Sequence, residues 1–395
     1  PIIVSEGFQI LGSTLRTIDL AEDRQQFSRI CHEFGFKTPS SGMAANLAEA
    51  KNVTKIVGYP VICRPSYVLG GRRMEVVENE EDLNSYFARH GHAIGPNNLS
   101  LIDEFLAGAL EVDVDIVRGK DWIVIAGVVE HIEAAGVHSG DSMGVLPPQR
   151  LKDETCAKIE ELSLQLAEKM DVIGHLNLQL AVKDDQVYLL EANPRSSRSV
   201  PFVAKATGIP IIDLGVCAVL GRTDKEVRSQ QYQWKNVDRV SVKGVVFPFK
   251  KFSEADSILG PEMKSTGESM GRGEDFSEAL LKAFISSHLT LPLKGQVFFS
   301  LRDKDKAVLL PVALELVKMG YSISATQGTA EFFRQQGIDC IELRKVHEGR
   351  PHCVDHIRSG EVAFVINTTS GRTAVEASFG IRRSCIDFSI PCITE

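Results

Sequence analysis

Two apolar runs on either side of Asp184-Asp185 constrain this chain more than anything else in it. Residues 176–182 alternate apolar and polar, and Val187-Tyr188-Leu189-Leu190 is β-rich, so together they read as an antiparallel hairpin. Side chains two apart share a strand face, so Glu191 and Asn193 point the same way. With a loop of about three residues, common in hairpins, Gln179 lands opposite Glu191 on that face. One carboxylate and two amide oxygens then converge, hard ligands of the kind Mg2+ takes when it also holds substrate phosphates. Pro194 ends strand pairing, and Arg195 and Arg198 follow with guanidinium groups shaped for phosphate or carboxylate oxygens. The constellation points to phosphoryl transfer; the bland alternative is a strand end with solvated charges.

At 395 residues the chain has room for roughly two or three domains. Its formal charge of −8 argues against nucleic acid and against an anionic membrane as partners, so substrate phosphates need local basic pockets. The eight cysteines stand singly with no CxxC pair, which suggests reduced thiols, a cytoplasmic setting and no zinc site. There is no apolar run of 18 residues and no basic-then-apolar leader. The sequence starts at Pro1 without a methionine, the expectation for a fragment or a processed product.

Residues 1–12 hold two short apolar runs, Ile2-Ile3-Val4 and Phe8-Gln9-Ile10-Leu11, which look like the end of something. Helical spacing with an acidic first turn covers 20–30, and a second helix covers 47–57. Strands at 61–65 and 74–77 flank Gly70-Gly71, with Arg64 and Arg72 on either side; such a tip can close over an anion. Residues 100–106 form a short strand suited to an adenine or to a plain core. In the run 111–117 the acids Glu111, Asp113 and Asp115 share one face, either solvated or, from Glu111, touching a ribose or metal. A strand over 122–129 follows. The loop that comes next groups Gly136, His138, Ser139 and Asp141 before a helix at 153–170, an arrangement that favours a substrate-facing loop.

Taken together, the strings Arg64-Pro65-Ser66-Tyr67-Val68-Leu69-Gly70-Gly71-Arg72, Glu130-His131-Ile132-Glu133, Gly136-Val137-His138-Ser139-Gly140-Asp141-Ser142 and Glu191-Ala192-Asn193-Pro194-Arg195 resemble the ATP-grasp ligases. More narrowly, they resemble the C-terminal half of the carbamoyl-phosphate synthase large chain, over essentially the whole length. That resemblance implies an ATP-grasp fold, followed by a connector and a small Rossmann-like parallel α/β domain. The boundaries it implies are 1–20 for the end of a preceding domain, 21–222 for the grasp domain, 223–289 for a connector or oligomerisation region, and 290–395 for a methylglyoxal synthase-like regulatory domain that stops short of its expected final strand and helix.

By the same resemblance, Arg64 and Gly70-Gly71 cover the ATP phosphates, Glu104, Leu106 and Glu111 contact adenine and ribose, and Gly136, Val137, His138 and Ser139 line the nucleotide pocket. Gln179, Glu191 and Asn193 hold Mg2+ or Mn2+, while Asn193, Arg195 and Arg198 act on carbamate and the transferring phosphoryl group. The implied reaction is ATP-dependent phosphorylation of carbamate to carbamoyl phosphate, feeding pyrimidine and arginine synthesis. Its implied partners are the N-terminal half of the large chain, a glutaminase small subunit and further copies in an oligomer. Glu133 and Asp141 match positions the family uses for ornithine, whereas Gly244 stands where an acid is expected.

Past Gly221 the pattern turns irregular, with a strand over 240–248, a loop over 265–271 and a helix over 276–286. From Pro292 strands and helices alternate: 297–301, 305–319, 321–325, 329–335, 338–343 and 362–366, with 383–387 continuing the series. This predicts a small parallel sheet with helices on both faces. Hydroxyl-and-glycine loops at strand ends, Thr326-Gln327-Gly328-Thr329 and Asn367-Thr368-Thr369-Ser370-Gly371, are good phosphate cradles. The resemblance makes Lys306, Thr326, Thr329, Lys345, Asn367 and Thr369 contacts to UMP or IMP as effector. Two other readings stay open, another ATP-grasp carboxylate-amine ligase and a non-catalytic nucleotide-binding regulatory fragment.

Overall fold

Three separate sheets organise the chain in the computed structural model, which describes residues 5–8, 10–65, 73–369 and 371–394. The Gly70-Gly71 tip with Arg72, and Ile2-Ile3-Val4, lie outside the described residues. The chain divides into two units, Pro1–Val246 with Leu259–Ser287, and Phe247–Ile258 with His288–Glu395.

The first unit opens with α1 (Leu15–Glu22) and α2 (Arg24–Glu33), where the sequence suggests one helix. The break falls at Asp23, whose carboxylate accepts the Gln26 N–H at 3.0 Å and so caps a new helix instead of continuing the old one. A small antiparallel sheet follows, built from β1 (Ser41–Ala44), β2 (Val61–Pro65), β3 (Glu75–Val77) and β4 (Ser100–Glu104) in the order β1-β4-β2-β3. It is covered by α3 (Leu47–Val57) and α4 (Glu80–His90). Asn46 and Asn79 cap these helices by accepting the N–H of Glu49 and Asp82.

The second sheet has seven antiparallel strands: β5 (Leu110–Arg118), β6 (Ile123–His131), β7 (Gly144–Leu146), β8 (Gly174–Lys183), β9 (Gln186–Asn193), β10 (Val240–Val246) and β11 (Gly267–Gly273). Their order is β11-β10-β7-β6-β5-β8-β9. Helices α5 (Asp153–Lys169), α6 (Val200–Thr207) and α7 (Ile211–Val219) bury one face of it. In α5 the buried positions Cys156, Ile159, Ser163 and Leu166 recur at helical spacing; full burial of Ile159 and Leu166 is worth roughly 1.5–3 kcal/mol each.

Residues 223–289, set apart as a connector by the sequence, supply β10, β11 and the helix α8 (Phe276–Ser286) to this sheet. The span read as a loop over 265–271 is therefore mostly strand. Its glycines conceal it, because glycine is a poor strand former, yet here it permits close approach. A Cβ on Gly271 would lie 2.0 Å from the carbonyl oxygen of Ala279, so the helix rests directly on the strand backbone.

In the second unit β12 (Gln296–Ser300), β13 (Ser322–Ala325), β14 (Cys340–Glu342), β15 (Val362–Asn367) and β16 (Cys392–Ile393) form a parallel sheet ordered β14-β13-β12-β15-β16. Helices α9 (Asp303–Lys318), α10 (Gln327–Gln335), α11 (Cys353–Arg358) and α12 (Arg372–Phe388) complete the alternation; residues 383–387 are the last turns of α12. Among the described residues no single helix is long and apolar enough to cross a membrane.

Candidate active site

The β8–β9 hairpin places its polar groups by a route the sequence hides. Its loop has two residues, not three: Asp184 and Asp185, with φ of 51° and 59°, join Lys183 paired with Gln186. Simple pairing would then set Gln179 against Leu190. A bulge between Gln179 and Leu180 absorbs Leu190, so Gln179 faces Glu191 and Asn177 faces Asn193. Leu178, Leu180, Leu189 and Ala192 consequently turn to the core, and Glu191 and Asn193 turn away from it. The predicted pairing holds, although the loop length behind it was wrong by one residue.

These groups open onto a cavity of about 1010 Å³ in the first unit. Gln179, Glu191, Asn193, Arg195 and Arg198 line it, and so do Arg64, Glu104 and Glu111. Gly136, Val137, His138 and Ser139 supply a further wall. Leu106 does not reach it, being buried in a small cluster with Ala109 and Ala181. Gly70 and Gly71 lie outside the described residues.

The wall formed by 136–142 is held at many points. Glu111 accepts the Gly136 N–H at 2.9 Å, Gln179 donates to the Ser139 hydroxyl at 3.0 Å, and the His138 N–H donates to the Gly260 carbonyl at 2.9 Å. Asp141 accepts the backbone N–H groups of Lys264 and Ser265 at 2.7 and 2.9 Å. Gly136 sits at φ +94°, and a Cβ there would meet the Phe105 ring at 2.8 Å, so glycine is required on both counts. Burial pushes the His138 imidazole below its ordinary range.

On the arginine side, Arg195 donates to the Asn193 side-chain oxygen at 3.1 Å, and Arg198 donates to the Ser265 hydroxyl at 3.1 Å. Arg64 lies 3.8 Å from Asp103, and Glu104 accepts the Ser40 N–H at 3.1 Å. Arg64, Arg195 and Arg198 thus share one cavity with Gln179, Glu191 and Asn193, an arrangement able to neutralise a polyphosphate and a cation together.

The three acids of β5 are not a solvated face. Asp113 and Asp115 are buried, with Asp113 3.2 Å from His131 Nε2 and Glu111 3.5 Å from His131 Nδ1. Asp113, Asn177, Lys243 and Glu268 are among the lining residues that the sequence does not single out as site residues. Asn177 was findable, lying two before Gln179 on the same strand face. Lys243 is buried and donates to the Ser139 carbonyl at 3.0 Å; a lone lysine in an apolar strand was its signal. Glu268 lay in the stretch read as a loop. Burial raises its carboxyl above the usual range.

In the second unit the parallel order reverses between β12 and β15, the switch point where ligands enter doubly wound sheets. Thr326 precedes α10, and the Thr329 hydroxyl accepts the Leu301 N–H at 3.3 Å. Lys306 donates to the Gly328 carbonyl at 2.8 Å, and Asn367 donates to the Ser300 carbonyl at 3.3 Å. Arg302 donates to the Thr369 carbonyl at 3.3 Å. Lys345 is exposed before a 3₁₀ turn. At Gly244 in the first unit a Cβ would sit 2.4 Å from the hydroxyls of both Ser269 and Ser287, so any side chain there requires that pair to shift.

Comparison with known proteins finds the family model "Carbamoyl-phosphate synthase L chain, ATP binding domain" over residues 23–225 and an "MGS-like domain" over residues 308–394. The carbamoyl phosphate synthase large chain of Xanthomonas campestris pv. campestris is 45% identical over 394 residues, covering 98% of this chain and 36% of that one. The large chain's "C-terminal section" from Aquifex aeolicus is 43% identical and covers 98% and 75%. The chain therefore spans about a third of the full-length relative. Among solved structures, biotin carboxylase from Campylobacter jejuni in a nucleotide complex superposes with a TM-score of 0.57 at 17% identity, covering 72% of this chain and 70% of that one. An ADP complex of N5-carboxyaminoimidazole ribonucleotide synthetase gives 0.55 at 15% identity, covering 69% and 72%. These likenesses show the ATP-grasp fold.

Proposed function

Because this chain belongs to the carbamoyl-phosphate synthase large-chain family, we propose that its first unit phosphorylates carbamate with ATP, giving carbamoyl phosphate and ADP. The observation that carries this reading is Gln179 facing Glu191 across two strands, with Asn193 and two arginines beside them on one cavity. Carbamate oxygen attacks the γ-phosphorus and the bond to the β-phosphate oxygen breaks. Charge spreads over the transferring oxygens, so catalysis is positioning and neutralisation. Arg195 and Arg198 hold the carbamate and the phosphoryl oxygens, while Arg64 and the 136–139 wall hold the nucleotide.

A divalent cation suits the donor set. Gln179 uses its amide N–H on Ser139, which leaves its carbonyl oxygen for a ligand, and Glu191 brings the one carboxylate. Gln179, Glu191 and Asn193 would hold Mg2+ or Mn2+, whose chemistry is to screen phosphate charge and orient the triphosphate.

The second unit binds a nucleoside monophosphate, UMP or IMP, in the crevice at the C-terminal ends of β12 and β15. Lys306, Lys345, Thr326, Thr329, Asn367 and Thr369 supply its contacts. Ammonia reaches the assembly through a glutaminase subunit, and a part of the large chain that this chain does not span makes the activated carboxylate. The cytoplasm is the setting, in keeping with eight free cysteines, six of them buried.

The test runs the reaction backwards, measuring ATP formed from carbamoyl phosphate and MgADP. Glu191→Ala and Asn193→Ala should each lower it about 10²-fold or more, the scale of lost preorganised charge stabilisation. Unchanged rates would remove both residues from the chemistry. Equal turnover of acetyl phosphate would favour a different carboxylate-activating ligase.

A further inference from the structure

Asp115 is a buried carboxylate with no assigned role, only 2% exposed beneath the cavity. It lies at the bulge between Asp115 and Ile116 in the β5–β6 pairing, a device that re-aims a side chain. One carboxylate oxygen accepts from the Asn177 amide at 3.0 Å and the Ser197 hydroxyl at 2.7 Å; the other accepts from the Ser199 hydroxyl at 2.7 Å. The two hydroxyls lie 2.8 Å apart. No ion pair to Asp115 is seen among the described residues, so neutral donors alone satisfy it. Burying a carboxylate this way is costly unless its bonds do something in return.

What those bonds fix is the segment leaving β9. Ser197 and Ser199 bracket Arg198, and Arg195 lies two residues upstream, tied back by its N–H to the Asn193 carbonyl at 2.7 Å. Asn177, the third donor, pairs with Asn193 itself. A single carboxylate therefore grips the arginine segment from one side and the strand carrying Gln179 from the other. Past Pro194 the segment pairs with no strand among the described residues, so side-chain anchors have to set where its guanidinium groups stand.

We infer that Asp115 is a positioning residue: through Ser197, Ser199 and Asn177 it aims Arg195 and Arg198 at the carbamate and the transferring phosphoryl group. This rests on the function proposed above. Asp115 touches no reacting atom, and its effect falls on the anion end of the cavity, leaving the adenine and ribose end alone. A displacement of about 1 Å in such groups can cost on the order of 10²-fold in rate.

Two variants test it, Asp115→Ala and the double change Ser197→Ala with Ser199→Ala, the second guarding against failure of the first to fold. In ATP synthesis from carbamoyl phosphate and MgADP, kcat should fall about 10²-fold and KM for carbamoyl phosphate should rise. KM for MgADP should stay near wild type. Hydrogen exchange of the unliganded chain gives a readout that needs no turnover. Protection of the Arg195 and Val203 amides, bonded to the Asn193 and Ser199 carbonyls, should fall while that of β6 stays constant. Wild-type kinetics in both folded variants, or unchanged protection at those two amides, overturns the assignment. A wild-type chain that makes no ATP at all sinks the proposed reaction instead, and the exchange result still decides the anchoring role of Asp115.

Discussion

His131 shows how much a single buried side chain can decide. It is 2% exposed, with Asp113 and Glu111 at 3.2 and 3.5 Å. Burial alone would push its pKa down, but the two carboxylates outweigh that and raise it to about 9. Asp113 responds in kind: burial would raise it, yet His131, Lys243 and His138 hold it below the ordinary range. Because the folded pKa lies above the unfolded value of about 6.5, the stabilisation is complete below that pH and is lost as pH rises toward about 9. Urea denaturation across this window should show stability falling in the wild type and a flatter profile in His131→Gln. At pH 6 the variant should be less stable by up to about 3–5 kcal/mol, the typical cost of removing one partner of a buried ion pair, with Lys243 left near Asp113. The same pH slope in both proteins would take the ion pair out of the account. In the sequence, the alternation over 111–117 shows that the acids share a face; it cannot show which face the helices cover.

Among the elements, the β8–β9 hairpin was the most legible and for a partly mistaken reason. Alternation fixed which residues are neighbours on one strand, but the register depends on a two-residue turn and a bulge at Leu190 that offset one another. Neither has a strong sequence signature, since Leu189-Leu190 is simply apolar. The turn itself can be tested. Asp184 and Asp185 both sit in the left-handed region, where a two-residue hairpin turn favours Asn-Gly or Asp-Gly. Asp185→Gly gives up an exposed ion pair to Lys152, worth little, and relieves the Cβ. The net gain should be about 0.5 kcal/mol, read as a higher denaturation midpoint with an unchanged slope. A lower midpoint would mean that the turn is held by its carboxylates and not by its backbone. Strand β11 failed in the opposite direction, because its glycines, needed so that the covering helix can touch the backbone, are also what make a strand look like a loop.

At the scale of the whole molecule, the parallel α/β unit could be read from strand-helix alternation alone, whereas the contribution of 247–258 to that unit could not. This segment leaves β10, joins the second unit, and returns toward β11. Its anchor is Asp256, whose two carboxylate oxygens accept from Arg382 at 2.6 and 2.5 Å; Arg382 is fully buried and also donates to the Asn367 side-chain oxygen at 3.2 Å. A buried guanidinium stripped of its carboxylate typically costs about 3–5 kcal/mol. Asp256→Ala should therefore lower the melting temperature of the second unit by about 10 °C or more. The two units have separate hydrophobic clusters, one set around Leu178 and Ile159, the other around Phe298 and Phe299, so calorimetry should resolve two transitions. MgADP should raise the first transition alone and UMP the second alone, since a ligand stabilises only the folded unit that binds it. Because Arg382, which donates to Asn367, is no longer held by the Asp256 carboxylate, UMP should stabilise the Asp256→Ala chain less than the wild type. One transition that moves as a block under all three treatments would show instead that the two units unfold as a single cooperative structure.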